Sequence, residues 1–227
     1  MLGTIVNTGT ILAGSLLGSL IKKGIKPQYQ DALFTAMGLA AVALGVNAVV
    51  SNLGESSFPV LFILSLAIGS LVGTMLDLDG RFQGFGNRFS SGSNLVQGLS
   101  TAILLFCIGT LSILGPIQSA LQGDNTYLFT NATLDFVTST VLASSYGIGI
   151  AAAAVVLFLW QGSIYLCAGL LSDFLTGGLL TELSIVGGIL IASSGLSMLK
   201  IKDCKALNML PSLLVPVVWY LVKGFFA

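Results

Sequence analysis

Asp135 is the residue of this chain whose type and setting could do chemistry. It stands in TLDFVTSTVL, with Thr133, Leu134, Phe136 and Val137 around it, inside an apolar arm. A carboxyl group within a membrane span is costly and rare, and it reads first as part of an ion or substrate pathway. At a helical rise of about 1.5 Å per residue, other polar residues fall in the same half of the membrane: Asn7, Asn47, Thr110, Ser112 and Gln161. The opposite half offers only Gln97 and Ser100. No Lys or Arg falls at the depth of Asp135, so a permanent salt bridge within the chain is not expected. Two states remain for the carboxyl: protonated and bonded to hydroxyls such as Thr133, Thr138 and Thr140, or ionised beside a cation from outside. Either state ties its occupancy to pH or to cation concentration, as a coupled transporter requires. For each Asn, Gln or Ser taken singly, an interhelical hydrogen bond worth about 1 kcal/mol is the plainer reading.

Other chemistries are excluded by what the sequence lacks. There is no histidine, the usual metal ligand and neutral-pH base. HExxH, Walker, G-x-S-x-G and CxxC motifs are absent, and Asp135 has no second intramembrane aspartate for protease chemistry. Cys107, Cys167 and Cys204 stand far apart, which suggests inert thiols rather than a disulfide framework or a zinc site. No enzyme activity, metal or cofactor is expected. With a formal net charge of zero, nothing suggests nucleic-acid binding.

The elements that position Asp135 follow from composition. The 227 residues are 55% hydrophobic and 8% charged, against about 25% charged in soluble domains. So few charges cannot cover a soluble surface, and the bilayer is the expected surrounding. Apolar runs long enough to span it, about 20 residues each, predict an all-α bundle of eight spans in one membrane domain, 1–227. The spans are 2–21, 32–50, 59–76, 95–115, 128–146, 148–170, 183–199 and 207–226. The first lacks a positive leading region and is read as a retained span rather than a secretory signal. Pro116 is expected to stop the fourth span, leaving a polar hairpin over 116–127. The link 171–182 reads as an interfacial helix or a re-entrant turn. Pro211 and Pro216 predict a kinked or broken last span.

Orientation follows from the basic loops. Lys22, Lys23 and Lys26, then Arg81 and Arg88, then Lys200, Lys202 and Lys205, all fall on one side if eight spans cross. That side is the cytoplasm, which puts both termini and the 116–127 hairpin outside. Gly38 and Gly45 in the second span match the spacing of Gly188 and Gly195 in the seventh. GSLLGSL in the first span resembles GSIYLCAG in the sixth, and Pro59 has a counterpart in Pro211. These matches suggest an inverted 3+3 repeat around spans four and five, an arrangement found in secondary transporters. Shared membrane-helix composition is the alternative.

Several blocks carry a family resemblance. MLGTIVNTGTILAGSLLG, LLFCIGTLSILGPIQSALQGDN and LDFVTSTVLASSYGIGI lead, with WQGSIYLCAGLL, ELSIVGGILI and NMLPSLL in support. Through them the chain resembles the YdfK/YqgA-like family of uncharacterised prokaryotic membrane proteins over nearly its whole length. The resemblance implies several spans and a prokaryotic cytoplasmic membrane. It also implies a possible transporter without an established substrate, and supplies no site residues. The expectation is therefore transport of a small solute or ion, coupled to a cation or proton through Asp135. The rivals are a passive channel and a membrane accessory or sensor protein with a dry interior. Glycine-lined faces on spans one and three suit close helix contact, and a homodimer is the expected assembly.

Overall fold

A chain in lipid must close its own backbone hydrogen bonds, and a helix does so within one segment. The computed structural model is helical accordingly, with no strand among the described residues, which are 1–21, 24–81, 94–108, 110–170 and 177–226. The helices are α1 (Leu2–Leu20), α2 (Pro27–Leu53), α3 (Leu61–Met75), α4 (Asn94–Ile108), α5 (Thr110–Gln122) and α6 (Thr126–Tyr146). A 3₁₀ turn over Ile148–Ala152 leads into α7 (Ala153–Leu170), followed by α8 (Gly177–Met198) and the short α9 (Ala206–Met209). A second 3₁₀ segment, Leu210–Leu213, joins α9 to α10 (Leu214–Phe226).

Pro27–Leu53, Ile148–Gly169, Gly178–Met198 and Ala206–Lys223 are each long and apolar enough to cross a membrane. The pair Thr101–Cys107 and Leu111–Gln122, bent by 40°, makes a fifth if it counts as one span. α3 is apolar but only 15 residues long. Two boundaries differ from the sequence reading. Pro116 lies inside α5 rather than ending a helix, so the hairpin shrinks to Gly123–Asn125. A proline removes one helical donor without forbidding the turns that follow it. Residues 177–182, read as part of an interfacial helix or re-entrant turn, form the start of α8 and extend the seventh span, while 171–176 lie outside the described residues. Pro211 sits in the 3₁₀ segment between α9 and α10, the expected interruption of the last span.

The chain divides into two compact units, Met1–Leu33 with Phe82–Ser172 and Phe34–Arg81 with Asp173–Ala227. In the first, α1 lies along α6 and runs in the same direction. The Gly3 N–H donates to Asn125 Oδ1 at 3.3 Å at one end, and Gly18 meets Ala143 and the Thr140 carbonyl towards the other. Between helices in lipid, attraction comes from van der Waals packing, which favours small residues at the contact. Gly14 against Ser139 and Gly18 against Thr140 let the two backbones approach. α4 and α5 run against α6, with Gly98 at Tyr146 and Gly115 at Leu128. Gly147, at φ +87°, turns the chain from α6 back towards α7. Beneath these contacts Ile11, Phe106, Ile150 and Leu157 are fully buried in one apolar cluster, with Ala102, Cys107, Ala143, Ala153 and Ala154.

In the second unit α2 crosses α8 in antiparallel fashion at reciprocal glycines. A Cβ on Gly188 would sit 2.7 Å from the Gly45 carbonyl oxygen, and one on Gly195 2.7 Å from that of Gly38. On α3, Gly69 and Gly73 receive Ser212 and Asn208. Asn208 Oδ1 accepts the Asp79 N–H at 2.8 Å. Glu182 on α8 is buried and accepts the Ser56 hydroxyl at 2.6 Å and the Phe58 N–H at 3.3 Å. The same loop is held from above, because Phe58 packs edge-on against Trp219 and Tyr220 with Lys223 Nζ 4.9 Å over its ring. Glu182→Ala strands the Ser56 hydroxyl and leaves the Phe58 N–H only its 3.1 Å bond to Ser56 Oγ, at a cost of about 2 kcal/mol. Thermal unfolding should show the loss, and Glu182→Gln, which keeps an acceptor, should recover most of it.

Candidate functional site

The site is built on the face where α1 and α6 meet, next to the α4–α5 pair and α7. Asp135 and Asn131 stand four residues apart on α6, a spacing that places them on one helix face. Side chains lean towards the N-terminus of their helix, so the Asp135 carboxyl reaches back to Asn131, whose Nδ2 donates to Asp135 Oδ2 at 2.9 Å. Both side chains are buried. Asn7 of α1 is the side chain that faces this carboxyl across the seam. The Asn7 Nδ2 group nevertheless makes no hydrogen bond.

A second polar pair lies across the unit. Gln161 on α7 is completely buried and donates from Nε2 to Ser112 Oγ on α5 at 3.1 Å. Its Oε1 has no partner. Pro116 cannot donate to the carbonyl four residues earlier, so the main-chain oxygen of Ser112 also loses its helical donor.

These groups share one level. Ile11 and Leu157 belong to the apolar cluster, and Asn7 and Gln161 lie one helical turn further towards the Asn125 end. Cys107 stands at the rim of that cluster. Thr4, also fully buried, carries an unpaired hydroxyl one turn beyond Asn7. By helix register, Thr4, Asn7, Ser112, Asn131, Asp135 and Gln161 fall in one polar layer, a turn from Ile11, Phe106 and Leu157 of the apolar cluster. An unpaired buried donor or acceptor costs about 1–3 kcal/mol, so unpaired atoms on Thr4, Asn7 and Gln161 are a departure from ordinary packing that calls for a reason.

Of the residues singled out in the sequence, the first unit holds Asp135, Gln161, Asn7 and Ser112, with Gln161 bonded to Ser112 and Asn7 facing Asp135. Asn47 belongs to the second unit, where its side chain is exposed on α2. The Thr110 side chain lies outside the described residues, as do those of Gln97 and Ser100. Two of the three hydroxyls expected around Asp135 are engaged elsewhere: Thr133 donates to the Phe129 carbonyl at 3.0 Å and Thr140 to the Phe136 carbonyl at 2.7 Å. Asn131 takes that role instead, and its four-residue spacing from Asp135 is the signal that could have found it. Among the described residues no group of three His, Cys, Asp or Glu side chains could hold a metal ion.

Comparison with known proteins places this architecture. The chain is 59% identical over 226 residues to the "Uncharacterized membrane protein YdfK" of Bacillus subtilis (strain 168), covering 99% of this chain and 98% of that protein. It is 26% identical over 228 residues to the "Uncharacterized protein YqgA" of Escherichia coli (strain K12), covering 95% and 94% of the two chains. No solved structure matches the chain. The model of the DUF554 family, described as "Protein of unknown function", matches residues 2–221, and the chain belongs to that family.

Proposed function

We propose that this membrane protein is a carrier that binds a small solute or ion at the Asp135 layer and exchanges a proton or cation through its carboxyl. The observation that supports it is a set of buried polar groups with unpaired donors and acceptors, next to a fully buried apolar cluster. A passive channel needs a continuous wet path, and Ile11, Phe106 and Leu157 oppose one. An accessory protein with a structural interior would pair its polar atoms, and Asn7 Nδ2, Thr4 Oγ1 and Gln161 Oε1 have no partner. We read the chain as having no enzymatic role.

We also propose eight crossings of a prokaryotic cytoplasmic membrane, with both termini and the Gly123–Asn125 loop outside. Helix directions within each unit support this: α1 runs with α6 and against α4–α5, α2 runs against α8, and α3 against the α9–α10 stretch. The inverted repeat gains support from the reciprocal Gly38–Gly195 and Gly45–Gly188 contacts, which a local twofold exchanges. The glycines that suggest a dimer, Gly14, Gly18, Gly69 and Gly73, are all taken by contacts within their own units. A homodimer would use another face, and mass measurement in lipid decides whether it forms.

Thiol labelling tests the layer directly. In a cysteine-free background, Asn7→Cys should react with a membrane-impermeant reagent from outside only, whereas Leu157→Cys in the apolar cluster should not react from that side. An Asn7→Cys thiol inert from both sides would mean a dry interior and favour the accessory protein.

A further inference from the structure

We infer that Asn7 is a positioning residue that reads the proton on Asp135, its amide turning end for end as the carboxyl gains or loses it. The inference rests on the carrier reading in one respect, that Asp135 changes its proton, and it deepens that reading. Register comes first. Gly3 packs on Leu128, Gly14 on Ser139 and Gly18 on Ala143, so α1 and α6 keep one constant register along their seam. That register sets Asn7 level with Ala132, and Thr10 level with Asp135. The Asp135 carboxyl reaches back along α6 to Asn131 and so comes to the level of Asn7, which faces it across the seam.

Hydrogen bonding gives the mechanism. Asn131 Nδ2 donates to Asp135 Oδ2 at 2.9 Å, a bond that either form of the carboxyl can accept. Asn7 differs, because its amide has a versatile neighbour on the other side. Thr10 Oγ1 stands 3.5 Å from Asn7 Oδ1, and its hydroxyl donates to the Asn7 main-chain oxygen at 2.7 Å. The Thr10 oxygen therefore keeps lone pairs with which to accept. With Nδ2 towards Asp135 the Asn7 amide suits an ionised carboxyl, although Nδ2 closes no hydrogen bond in this arrangement. A protonated carboxyl carries an O–H that needs an acceptor, and two amide nitrogens offer none. Turning the Asn7 amide brings Oδ1 to that O–H and Nδ2 to the Thr10 oxygen. Asn7 and Asp135 are both buried, so each form of the carboxyl has to find its partner on the seam. Of the elements packed against α6, α1, α5 and the Ile148–Ala152 turn carry no titratable or charged side chain, and α4 carries the Cys107 thiol alone. α6 itself adds only Tyr127 and Tyr146, near its two ends.

The test is infrared difference spectroscopy of the purified full chain through a pH titration, with asparagine unlabelled and isotope-labelled at its side-chain carbonyl. The carboxyl band that Asp135→Asn removes belongs to Asp135. An asparagine amide band, identified by its isotope shift, should change with it at the same midpoint. Asn7→Leu and Asn7→Ser should each lose that asparagine band and keep the Asp135 band. Both should fold, because leucine replaces an unpaired donor with an apolar group of similar shape and serine is smaller than asparagine. An asparagine band undiminished in either variant would overturn the inference in favour of Asn131 as its source. A wild-type titration with no asparagine band would overturn it too, and so would the absence of any Asp135 band between about pH 4 and 10. The carrier reading is judged separately, since it falls only if neutralising Asp135 leaves coupled flux unchanged.

Discussion

Asp135→Asn is expected to leave the protein folded and inserted while lowering gradient-driven uptake about tenfold or more, equivalent to about 1.4 kcal/mol of lost coupling. The substitution keeps the shape of the side chain and its capacity to accept from Asn131 Nδ2, now 2.9 Å from Oδ2. It removes the proton and the negative charge, the two properties a coupled carrier needs from this position. The measurement is uptake from a panel of labelled amines and cations into proteoliposomes under an imposed pH or sodium gradient. Wild type should concentrate at least one solute. Equal uptake by the mutant would make Asp135 a structural hydrogen-bonding residue and end the mechanism proposed for it. Buried ionisable groups in membranes are expensive, so a purely structural Asp135 should also be replaceable by asparagine with a gain in thermal stability and no functional change.

The second large effect concerns two glycines on one helix. Gly18→Leu should abolish assembly of the first unit, because a Cβ there meets the main-chain carbonyl of Thr140, which cannot rotate aside as a side chain could. Overpacking against backbone costs about 3 kcal/mol or more, and the α1–α6 seam that sets Asn7 beside Asp135 is the contact that would open. Gly9→Leu makes the control. No atom lies within 4 Å of a Cβ at Gly9, so the same substitution nine residues away should be tolerated and slightly favour the helix. Detergent-extracted yield and unfolding midpoint separate the two. Equal tolerance at both positions would mean that α1 and α6 do not meet face to face at Gly18.

Composition by itself determined the class of this protein. With 8% charged residues and apolar runs recurring along the chain, no soluble surface can be made, and helices follow from the absence of water to bond the backbone. The importance of Asp135 was legible for the same reason, since a carboxyl in an apolar arm carries its cost on its face. The spacing of Gly38 and Gly45 against Gly188 and Gly195 was visible too, although the sequence could not say that these glycines touch one another. Tertiary structure decided what lies beside what. Asn7 and Asp135 are far apart in sequence, and their meeting depends on α1 running alongside α6 in one register, which Gly14 and Gly18 permit by admitting the neighbouring backbone. Asn47 looked equivalent by depth, but depth says nothing about which face of a helix a residue occupies, and α2 turns it outward. Glu182 escaped notice because its charge reads as a loop residue in a linear scan. Burial became possible only when Ser56 and the Phe58 N–H arrived from the other end of the unit to bond it.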